Sequence, residues 1–324
     1  MRAAVCPEFG PPEVIRIEER PSPTPEPGQV LVHVQAAAVN FPDVLLVANR
    51  YQISVPPPFV PGSEFAGVID EVTSDTAGFA VGDRVTGTGL FGAFAERVAV
   101  PVAGLSRIPD GIDSPTAAAF GVAHRTAYHT LRSVARVSTG DELVVLGAGG
   151  GVGLAAVQLG VALGARVTAV ASSSEKLAVA KSYGATSLIN HRDVDLRAGL
   201  RDSLPDGADA VVDPVGGDLS EPALRSLRRG GRFVTVGYAS GVIPRIPLNL
   251  VLVKGIQVVG FQFQDVPAAE FGRNEDELRT LLTTGRVRPH VGASYRLDDT
   301  ARALREVADG HAIGKVVINV SWRG

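Results

Sequence analysis

The chain has 324 residues, of which 45% are hydrophobic and 20% charged, and its formal net charge is −3. This length predicts two globular domains of ordinary size, and the near-zero charge, with no stripe of Lys and Arg, excludes nucleic acid as the expected main partner. The single cysteine, Cys6, excludes an intrachain disulfide and a cysteine-cluster zinc site, and it favours a reducing, cytoplasmic setting.

Short β-like runs separated by Pro and Gly fill the first third of the chain. Two examples are residues 30–38 and residues 65–72. The pattern predicts an irregular domain made mostly of strands. Residues 1–11 lack the continuous apolar segment of a secretory signal, so export is not expected.

Apolar runs alternate with helical segments between about residues 122 and 261. Strands are predicted over residues 143–146, 167–171, 210–212, 233–236 and 257–259, and helices over residues 152–163, 175–183 and 219–227. Such alternation implies a parallel sheet covered by helices on both faces. We therefore expect an α/β protein whose second domain is a doubly wound, Rossmann-type dinucleotide-binding fold.

One uncharged stretch, residues 143–165, has the length of a membrane span. Seven glycines interrupt it, five of them within residues 147–153. They predict a strand, a tight loop and a packed helix instead, and we expect no membrane association.

The last part of the chain is too short to form a stable domain by itself. Helices are predicted over residues 275–284 and 300–308, and a closing strand over residues 315–320. We expect this tail, about sixty residues long, to pack back onto the first domain. The predicted domains are therefore residues 1–121 with 262–324, and an inserted cofactor domain at residues 122–261.

A glycine-rich loop, residues 148–153, lies between a predicted strand and a predicted helix. Glycines there permit a tight turn and a close approach to a pyrophosphate, which the helix N-terminus then binds through free N–H groups. Gly150, Gly151 and Val152 are the expected contacts. Ala148 stands where the fingerprint has its first glycine, so the motif depends on its strand and helix context.

The end of the second predicted strand of this domain indicates which cofactor is bound. NAD-binding relatives of this fold place an acid about 20 residues beyond the loop, but residues 172–174 are three serines followed by Glu175 and Lys176. Glu175 has the capping-box spacing from Ser172, so a helix start explains it. Hydroxyls with a lysine suit the 2′-phosphate of NADPH, although a lysine at a helix start is often merely solvated.

Several motifs in order resemble one enzyme superfamily over nearly the whole chain. They are Val-Asn-Phe-Pro-Asp at residues 39–43, Pro-Gly-Ser-Glu-Phe-Ala-Gly at 61–67, Gly-Asp-Arg-Val at 82–85, Thr-Ala-Tyr at 126–128, the glycine loop, and Gly-Lys-Val-Val at 314–317. The chain resembles the medium-chain dehydrogenase/reductase superfamily, and within it the zinc-free quinone oxidoreductase group that includes zeta-crystallin. This resemblance implies a GroES-like first domain and a homodimer, for which sheet extension near residues 257–259 is the expected contact.

Zinc-dependent members of the superfamily hold their metal with an early cysteine and a Gly-His-Glu triplet. Asn40 matches the cysteine position and Ser63 the histidine position, and the six histidines show no ligand-like pairing. No metal is expected.

The resemblance also assigns residues to the two ends of the cofactor. Asn40 and Thr126 would lie beside the nicotinamide, although Asn40 is also a candidate helix cap. Ser172, Lys176 and His191 match positions that contact the 2′-phosphate. Relatives often carry a tyrosine at the position of His191, so its role is open, and the adjacent Arg192 is a second source of charge.

Further candidates surround the expected acceptor. Tyr51 is the nearest hydroxyl for a proton donor, although a tyrosine in a proline-rich loop is more often a packing residue. Gly237 and Tyr238 follow a predicted strand and should border the cofactor. Phe261 and Phe263 could stack a flat acceptor or belong to the core.

The function expected from these features is an NADPH:quinone oxidoreductase-like enzyme that passes a hydride, without metal, to a quinone or an α,β-unsaturated carbonyl. Two alternatives remain open: an enoyl-thioester reductase of the same fold, and a non-enzymatic NADPH-binding protein.

Overall fold

The computed structural model describes residues 1–76 and 78–320. The chain divides into two compact units, the first formed by Met1–Val122 with Pro289–Gly324 and the second by Ala123–Arg288. The second unit is thus an insertion in the first.

The first unit is built mainly from strands. Its elements are β1 (Arg2–Val5), β2 (Arg16–Glu19), β3 (Gln29–Val39), α1 (Phe41–Val47), β4 (Glu64–Val72), β5 (Arg84–Thr88), β6 (Arg97–Pro101), β7 (Leu105–Arg107) and, after the insertion, β14 (Val291–Arg296), α9 (Thr300–Ala308) and β15 (Lys315–Asn319). Strands β14-β15-β3-β4-β5-β7 form one sheet in that order, with β6 also paired to β3. β1 and β2 form a separate pair.

The core of the first unit lies between this sheet and its two helices. It includes Val32 and Phe65 of the central strands, Leu46 of α1 and Leu304 of α9. β3 is central because its eleven residues are almost continuously apolar, so both faces can be buried. The end of β3 therefore fixes the position of Asn40, and the start of β15 fixes that of Lys315.

The second unit alternates strands and helices. After α2 (Ser114–His129), which carries the chain in from the first unit, come β8 (Glu142–Leu146), α3 (Gly151–Ala162), β9 (Arg166–Ala171), α4 (Ser174–Ser182), β10 (Ser187–Asn190), α5 (Leu196–Ser203), β11 (Ala208–Asp213), α6 (Ser220–Ser226), β12 (Leu227–Thr235), α7 (Leu248–Lys254), β13 (Gln257–Gly260) and α8 (Ala268–Thr283). The six strands form one parallel sheet in the order β10-β9-β8-β11-β12-β13.

The expected fold class is confirmed: a mostly β first unit and a doubly wound parallel sheet in the second. Each of the five strands predicted for the cofactor domain is present. Residues 143–165, which resembled a membrane span, divide into β8, the glycine loop and α3. Among residues 1–76 and 78–320, no helix has the length and apolar character needed to cross a bilayer.

The division between the units differs from the predicted domain boundaries at its second crossing. Residues 262–288, expected in the first domain, cluster with the second unit. The reason is α8, which begins at Ala268 and bonds to the end of α2: the Asn274 amide donates to Ser133 Oγ at 3.0 Å and lies 3.2 Å from His129 Nδ1. The sequence indicated neither α2 nor these contacts.

Candidate active site

The carboxyl ends of the strands in the second unit form the first part of the site. β8 lies between β9 and β11, so the order of the chain reverses at β8. Ligands of open parallel sheets bind outside the strand ends at such a reversal. The loops that follow β8, β9, β11 and β12 are therefore the candidate cofactor-binding loops.

The loop after β8 depends on glycines for steric reasons. Gly147 has a φ of +60°, and a Cβ there would lie 2.6 Å from a methyl carbon of Val215. A Cβ on Gly153 would lie 2.0 Å from the Gly147 carbonyl oxygen, so only glycine lets α3 pack this closely. Gly147 therefore makes the tight turn, so the turn does not need a glycine at the fingerprint position that Ala148 occupies.

Gly150 is the N-cap of α3, and Gly151 and Val152 open its first turn. The first N–H groups of a helix have no partner within the helix, and together with the helix dipole they favour an anion. The three predicted pyrophosphate contacts therefore share one helix N-terminus.

Lys176 lies against the glycine loop. A Cβ on Gly149 would meet the lysine Cγ at 2.5 Å, and the lysine Nζ lies 3.5 Å from Ser172 Oγ at the end of β9. Burial and then the charges of Arg192 and Lys176 lower the pKa of His191. Lys176 thus lies beside Ser172, and Lys176 and Arg192 both lie close enough to His191 to act on its ring.

The helix start beyond β9 differs in detail from the prediction. Ser173, not Ser172, caps α4, because its Oγ accepts from the Lys176 N–H at 3.3 Å. Glu175 falls in the first turn of the helix, where backbone N–H and Ser173 hydrogen bonds lower its pKa. The Ser172 hydroxyl is therefore not committed to a cap.

The buried Asp213 carboxylate organises the loop after β11. Its Oδ1 accepts from the N–H groups of Val215 and Gly216, both at 2.8 Å, and its Oδ2 from Ser220 Oγ at 2.5 Å. The Gly237 N–H, after β12, lies 3.4 Å from the Asp213 carbonyl oxygen, and Tyr238 packs over Gly216. Gly237 and Tyr238 thus flank this loop, as predicted from strand order.

A polar and aromatic cluster joins α2 to α8. The Glu275 carboxylate bonds to His129 Nε2 at 2.8 Å and to Arg125 Nε at 2.9 Å. Phe271 stacks on the His129 ring, and Phe263 meets it edge-on. Phe263 therefore belongs to this cluster with one part exposed.

Thr126 lies half-buried next to Arg125 on α2. No described hydrogen bond joins it to the glycine loop or to Tyr238. Its predicted contact with the nicotinamide stays a prediction.

In the first unit, Asn40 joins a buried network. Its Oδ1 accepts from Lys315 Nζ at 2.5 Å, and its Nδ2 donates to Glu64 Oε2 at 3.1 Å and lies 3.3 Å from Ser63 Oγ. Asn40 also stands at the N-cap of α1, and its N–H donates to Asp43 Oδ2 at 2.7 Å. The helix-cap position of Asn40 is therefore observed, and its contact with the nicotinamide stays a prediction, because the amide is largely used inside the protein.

Lys315 and Glu64 were missed in the sequence as site residues. The lysine side chain is 4% exposed and the glutamate 0%, and Nζ lies 3.1 Å from Oε2. Glu64 Oε1 accepts from the Val122 N–H at 2.6 Å. The Gly-Lys motif near the C-terminus was recognised, but nothing local shows that this lysine is buried.

Asp43 is the third missed residue. The side chain is fully buried, and its Oδ1 has no hydrogen-bond partner. Burial raises the pKa of Asp43 to about 7, and the hydrogen bond from the Asn40 N–H opposes this shift. Ser63 itself is half-buried, and its Oγ lies 3.3 Å from Asn40 Nδ2.

Tyr51 packs half-buried against the core of the first unit. This position favours the packing alternative, and a role as proton donor stays a prediction. Within the described ranges, no group of three His, Cys, Asp or Glu side chains is placed to hold a metal.

Family models match both units. A model described as "Alcohol dehydrogenase GroES-like domain" matches residues 26–110, and one described as "Zinc-binding dehydrogenase" matches residues 151–279. Together they cover more than half of the chain.

Curated relatives and a solved structure match at full length. The chain is 34% identical to quinone oxidoreductase-like protein 2 of Bos taurus, covering 98% of this chain and 92% of the relative. It is 30% identical to quinone oxidoreductase of Homo sapiens, with 98% and 97% covered. The structure of Escherichia coli quinone oxidoreductase complexed with NADPH matches with a TM-score of 0.91 at 27% identity, covering 99% and 100%. The chain belongs to the medium-chain dehydrogenase/reductase superfamily and, within it, to the quinone oxidoreductase group of NAD(P)-dependent oxidoreductases.

Proposed function

We propose that this protein binds NADPH and transfers a hydride, without a metal, to a quinone or to an α,β-unsaturated carbonyl compound. The observation that carries the proposal is the placement of Lys176 across Gly149 and beside Ser172. It puts a cation and a hydroxyl where NAD-binding chains place an acid.

The second unit fits NADPH at both phosphate positions. The N-terminus of α3, at Gly150 to Val152, suits the pyrophosphate. Lys176 and Arg192 suit the additional 2′-phosphate, since a carboxylate there would repel it. The related Escherichia coli enzyme, whose structure contains NADPH, supports the same choice.

The donor set of the first unit does not fit zinc. The positions that match zinc ligands hold the Asn40 amide and the Ser63 hydroxyl, neither of which is a thiolate or an imidazole. Lys315 Nζ already contacts Asn40 Oδ1 and Glu64 Oε2. A dication would have to displace a buried ammonium, so the reaction we propose uses no metal.

The chemistry divides between the cofactor and the chain. Bound NADPH supplies the hydride. The protein orients the two reactants, excludes water, and hydrogen-bonds the oxygen that gains negative charge. In the first unit the half-buried Ser63 hydroxyl, next to Asn40, is the group we propose for that hydrogen bond.

An acceptor screen tests the proposal. The protein is titrated with NADPH and NADH by fluorescence, and NADPH absorbance is then followed with 1,4-benzoquinone, 2-cyclohexen-1-one and crotonyl-CoA. Tighter binding of NADPH and turnover of a quinone or the enone are expected. Turnover of crotonyl-CoA alone would instead identify an enoyl-thioester reductase, and binding without any turnover would identify a non-enzymatic protein.

We also propose that the protein is a cytoplasmic homodimer joined through β13. This strand is at the edge of the parallel sheet, and Val258 on it is exposed. The preceding helix, α7, has no buried residue and exposes Leu248 and Leu252. An unpaired strand edge beside exposed apolar side chains is typical of a surface that a second copy covers.

A further inference from the structure

We infer that Asp213 is a positioning residue for the nicotinamide half of the cofactor. Its buried carboxylate fixes the loop that follows β11, and that loop supports the part of the dinucleotide beyond the pyrophosphate. The inference rests on the proposed binding of NADPH and deepens it, because it names a residue that acts on the cofactor through a loop and not by direct contact.

The order of the strands assigns the two halves of the dinucleotide to the two sides of β8. Lys176 and Ser172, proposed for the 2′-phosphate, follow β9 on one side, and the helix N-terminus proposed for the pyrophosphate follows β8 itself. β11 and then β12 lie on the other side. A dinucleotide lies across the strand ends where the strand order reverses, so its nicotinamide half extends over the loops after β11 and β12.

Asp213 is the last residue of β11, and its side chain is fully buried. Oδ1 accepts from the N–H groups of Val215 and Gly216, both at 2.8 Å, and Oδ2 accepts from Ser220 Oγ at 2.5 Å. Hydrogen bonds to a carboxylate are among the stronger ones in proteins, and a buried N–H that loses its acceptor is costly. The shape of this loop therefore depends on one side chain.

Backbone hydrogen bonds carry this shape to the loop after β12. The Ser240 N–H donates to the Val215 carbonyl oxygen at 2.9 Å, and the Gly217 N–H donates to the Val242 carbonyl oxygen at 2.9 Å. The two loops therefore support each other, and the Asp213 carboxylate lies at the base of the pair.

Gly216 holds the Tyr238 ring in place. Its φ is +71°, and a Cβ there would lie 2.9 Å from Tyr238 Cδ1 and 2.8 Å from the Val242 carbonyl oxygen, so this position requires glycine. The Tyr238 side chain is still 38% exposed. The loop that Asp213 fixes thus presents an aromatic ring to a ligand.

The glycine loop has supports of its own. The Ala148 N–H donates to the Val170 carbonyl oxygen of β9, and the Gly150 N–H donates to the Gly147 carbonyl oxygen, both at 2.9 Å. The loop after β11 only adjoins it, through the contact of Val215 with the turn at Gly147. Loss of the Asp213 carboxylate should therefore disturb the nicotinamide half of the site and leave the adenosine half in place.

Calorimetric titration of the full protein with three ligands tests the inference. NADPH and NADH contain both halves, whereas 2′,5′-ADP contains only the adenosine half with its 2′-phosphate. Asp213→Ala should weaken NADPH and NADH by the same factor, about 10- to 100-fold, and 2′,5′-ADP by no more than about twofold. A change at the 2′-phosphate would instead weaken NADPH and 2′,5′-ADP and spare NADH.

Two further variants grade the effect. Asp213→Asn keeps an oxygen for the two backbone N–H groups and gains an amide that can donate to Ser220 Oγ, so it should bind NADPH within about threefold of the parent protein. Ser220→Ala removes one of the three hydrogen bonds with little change in volume. It should show the same selective loss as Asp213→Ala, at about 3- to 10-fold.

Asp209→Ala is the matched control. Asp209 lies near the amino end of the same strand, is 4% exposed, accepts from the Glu142 N–H at 2.9 Å and pairs with Arg228. Its removal breaks a buried network far from the carboxyl ends of the strands. It should therefore lower stability and leave all three ligands bound as in the parent protein.

Each outcome decides the inference. Equal weakening of all three ligands in Asp213→Ala would show a general loss of stability and overturn it, as would the same selective loss in Asp209→Ala. If Asp213→Ala does not fold, parent-like binding of NADPH and NADH by Ser220→Ala overturns it. If the parent protein does not bind NADPH, the proposed function fails as well; if it does, and Asp213→Ala binds equally well, only this inference is lost.

Discussion

The side chain of Lys176 lies over the backbone of Gly149, so that a Cβ on the glycine would overlap the lysine Cβ and Cγ at 2.6 and 2.5 Å. Two segments of the second unit, the loop after β8 and the first turn of α4, thus determine together where the lysine ammonium lies. The absence of a side chain at residue 149 is therefore part of the phosphate site that we propose.

Replacing Lys176 should reduce the preference for NADPH. Lys176→Ala removes one charge-assisted contact to the 2′-phosphate, which should weaken NADPH binding by about 10- to 100-fold and leave NADH binding unchanged. Gly149→Ala should act in the same direction, because the new methyl group displaces the lysine. Fluorescence titration with both cofactors measures the effect.

Lys181→Ala is the matched control, since Lys181 is exposed in the last turn of the same helix. It should bind both cofactors like the parent protein. An equal loss of NADPH and NADH affinity in Lys176→Ala would argue against a contact with the 2′-phosphate.

Replacing Lys315 should strongly destabilise the first unit. Lys315→Met leaves Glu64 as a buried carboxylate without its cation, and breaking such a pair costs about 3–5 kcal/mol. The double substitution Lys315→Met with Glu64→Gln should recover part of the loss, because no unpaired charge remains. Urea unfolding with the slope compared between variants measures both effects. A double variant less stable than Lys315→Met would contradict the ion-pair explanation.

Lys315 also shows which parts of the site the sequence can and cannot indicate. The glycine loop was recognisable because its turn, its helix start and the following serines all lie within one short segment. Lys315 and Asn40 are 275 positions apart, and only the pairing of β15 with β3 brings them together. The long α2 was missed for a different reason: its many small buried residues leave no apolar stripe of helical period. The contacts of α8 with the end of α2, through Asn274, were not visible in the sequence either.

The Glu275 carboxylate should stabilise the second unit in a pH-dependent way. Its burial would raise its pKa, but the bonds from His129 and Arg125 outweigh burial and lower the pKa below the usual 4.5. A lowered carboxyl pKa stabilises the fold above the unfolded-state value, and this contribution is lost as pH falls through the folded-state value. Glu275→Gln should therefore cost roughly 1–3 kcal/mol at neutral pH and progressively less below about pH 4.5.

Urea unfolding at several pH values checks this dependence. Exposed Asp276→Asn, one residue further along α8, is the control and should change stability little at any pH. A cost for Glu275→Gln that stayed constant from neutral to acidic pH would show that charge is not the source of the effect.

A charge placed on β13 should separate the proposed dimer. In a twofold assembly each β13 edge would pair with its copy, and Val258 together with Leu252 of α7, 82% exposed, would become buried. Val258→Lys would then bury an unpaired ammonium twice, which should weaken association by at least about 100-fold.

Leu188→Lys is the matched control, because Leu188 is exposed on β10 at the opposite edge of the same sheet. Light scattering after size-exclusion chromatography should find a dimer for the parent protein and for Leu188→Lys, and a monomer for Val258→Lys. A monomeric parent protein would overturn the proposed homodimer. A dimer that survives Val258→Lys would require a different contact surface, because no lysine could remain at the centre of a paired apolar edge without a compensating acid.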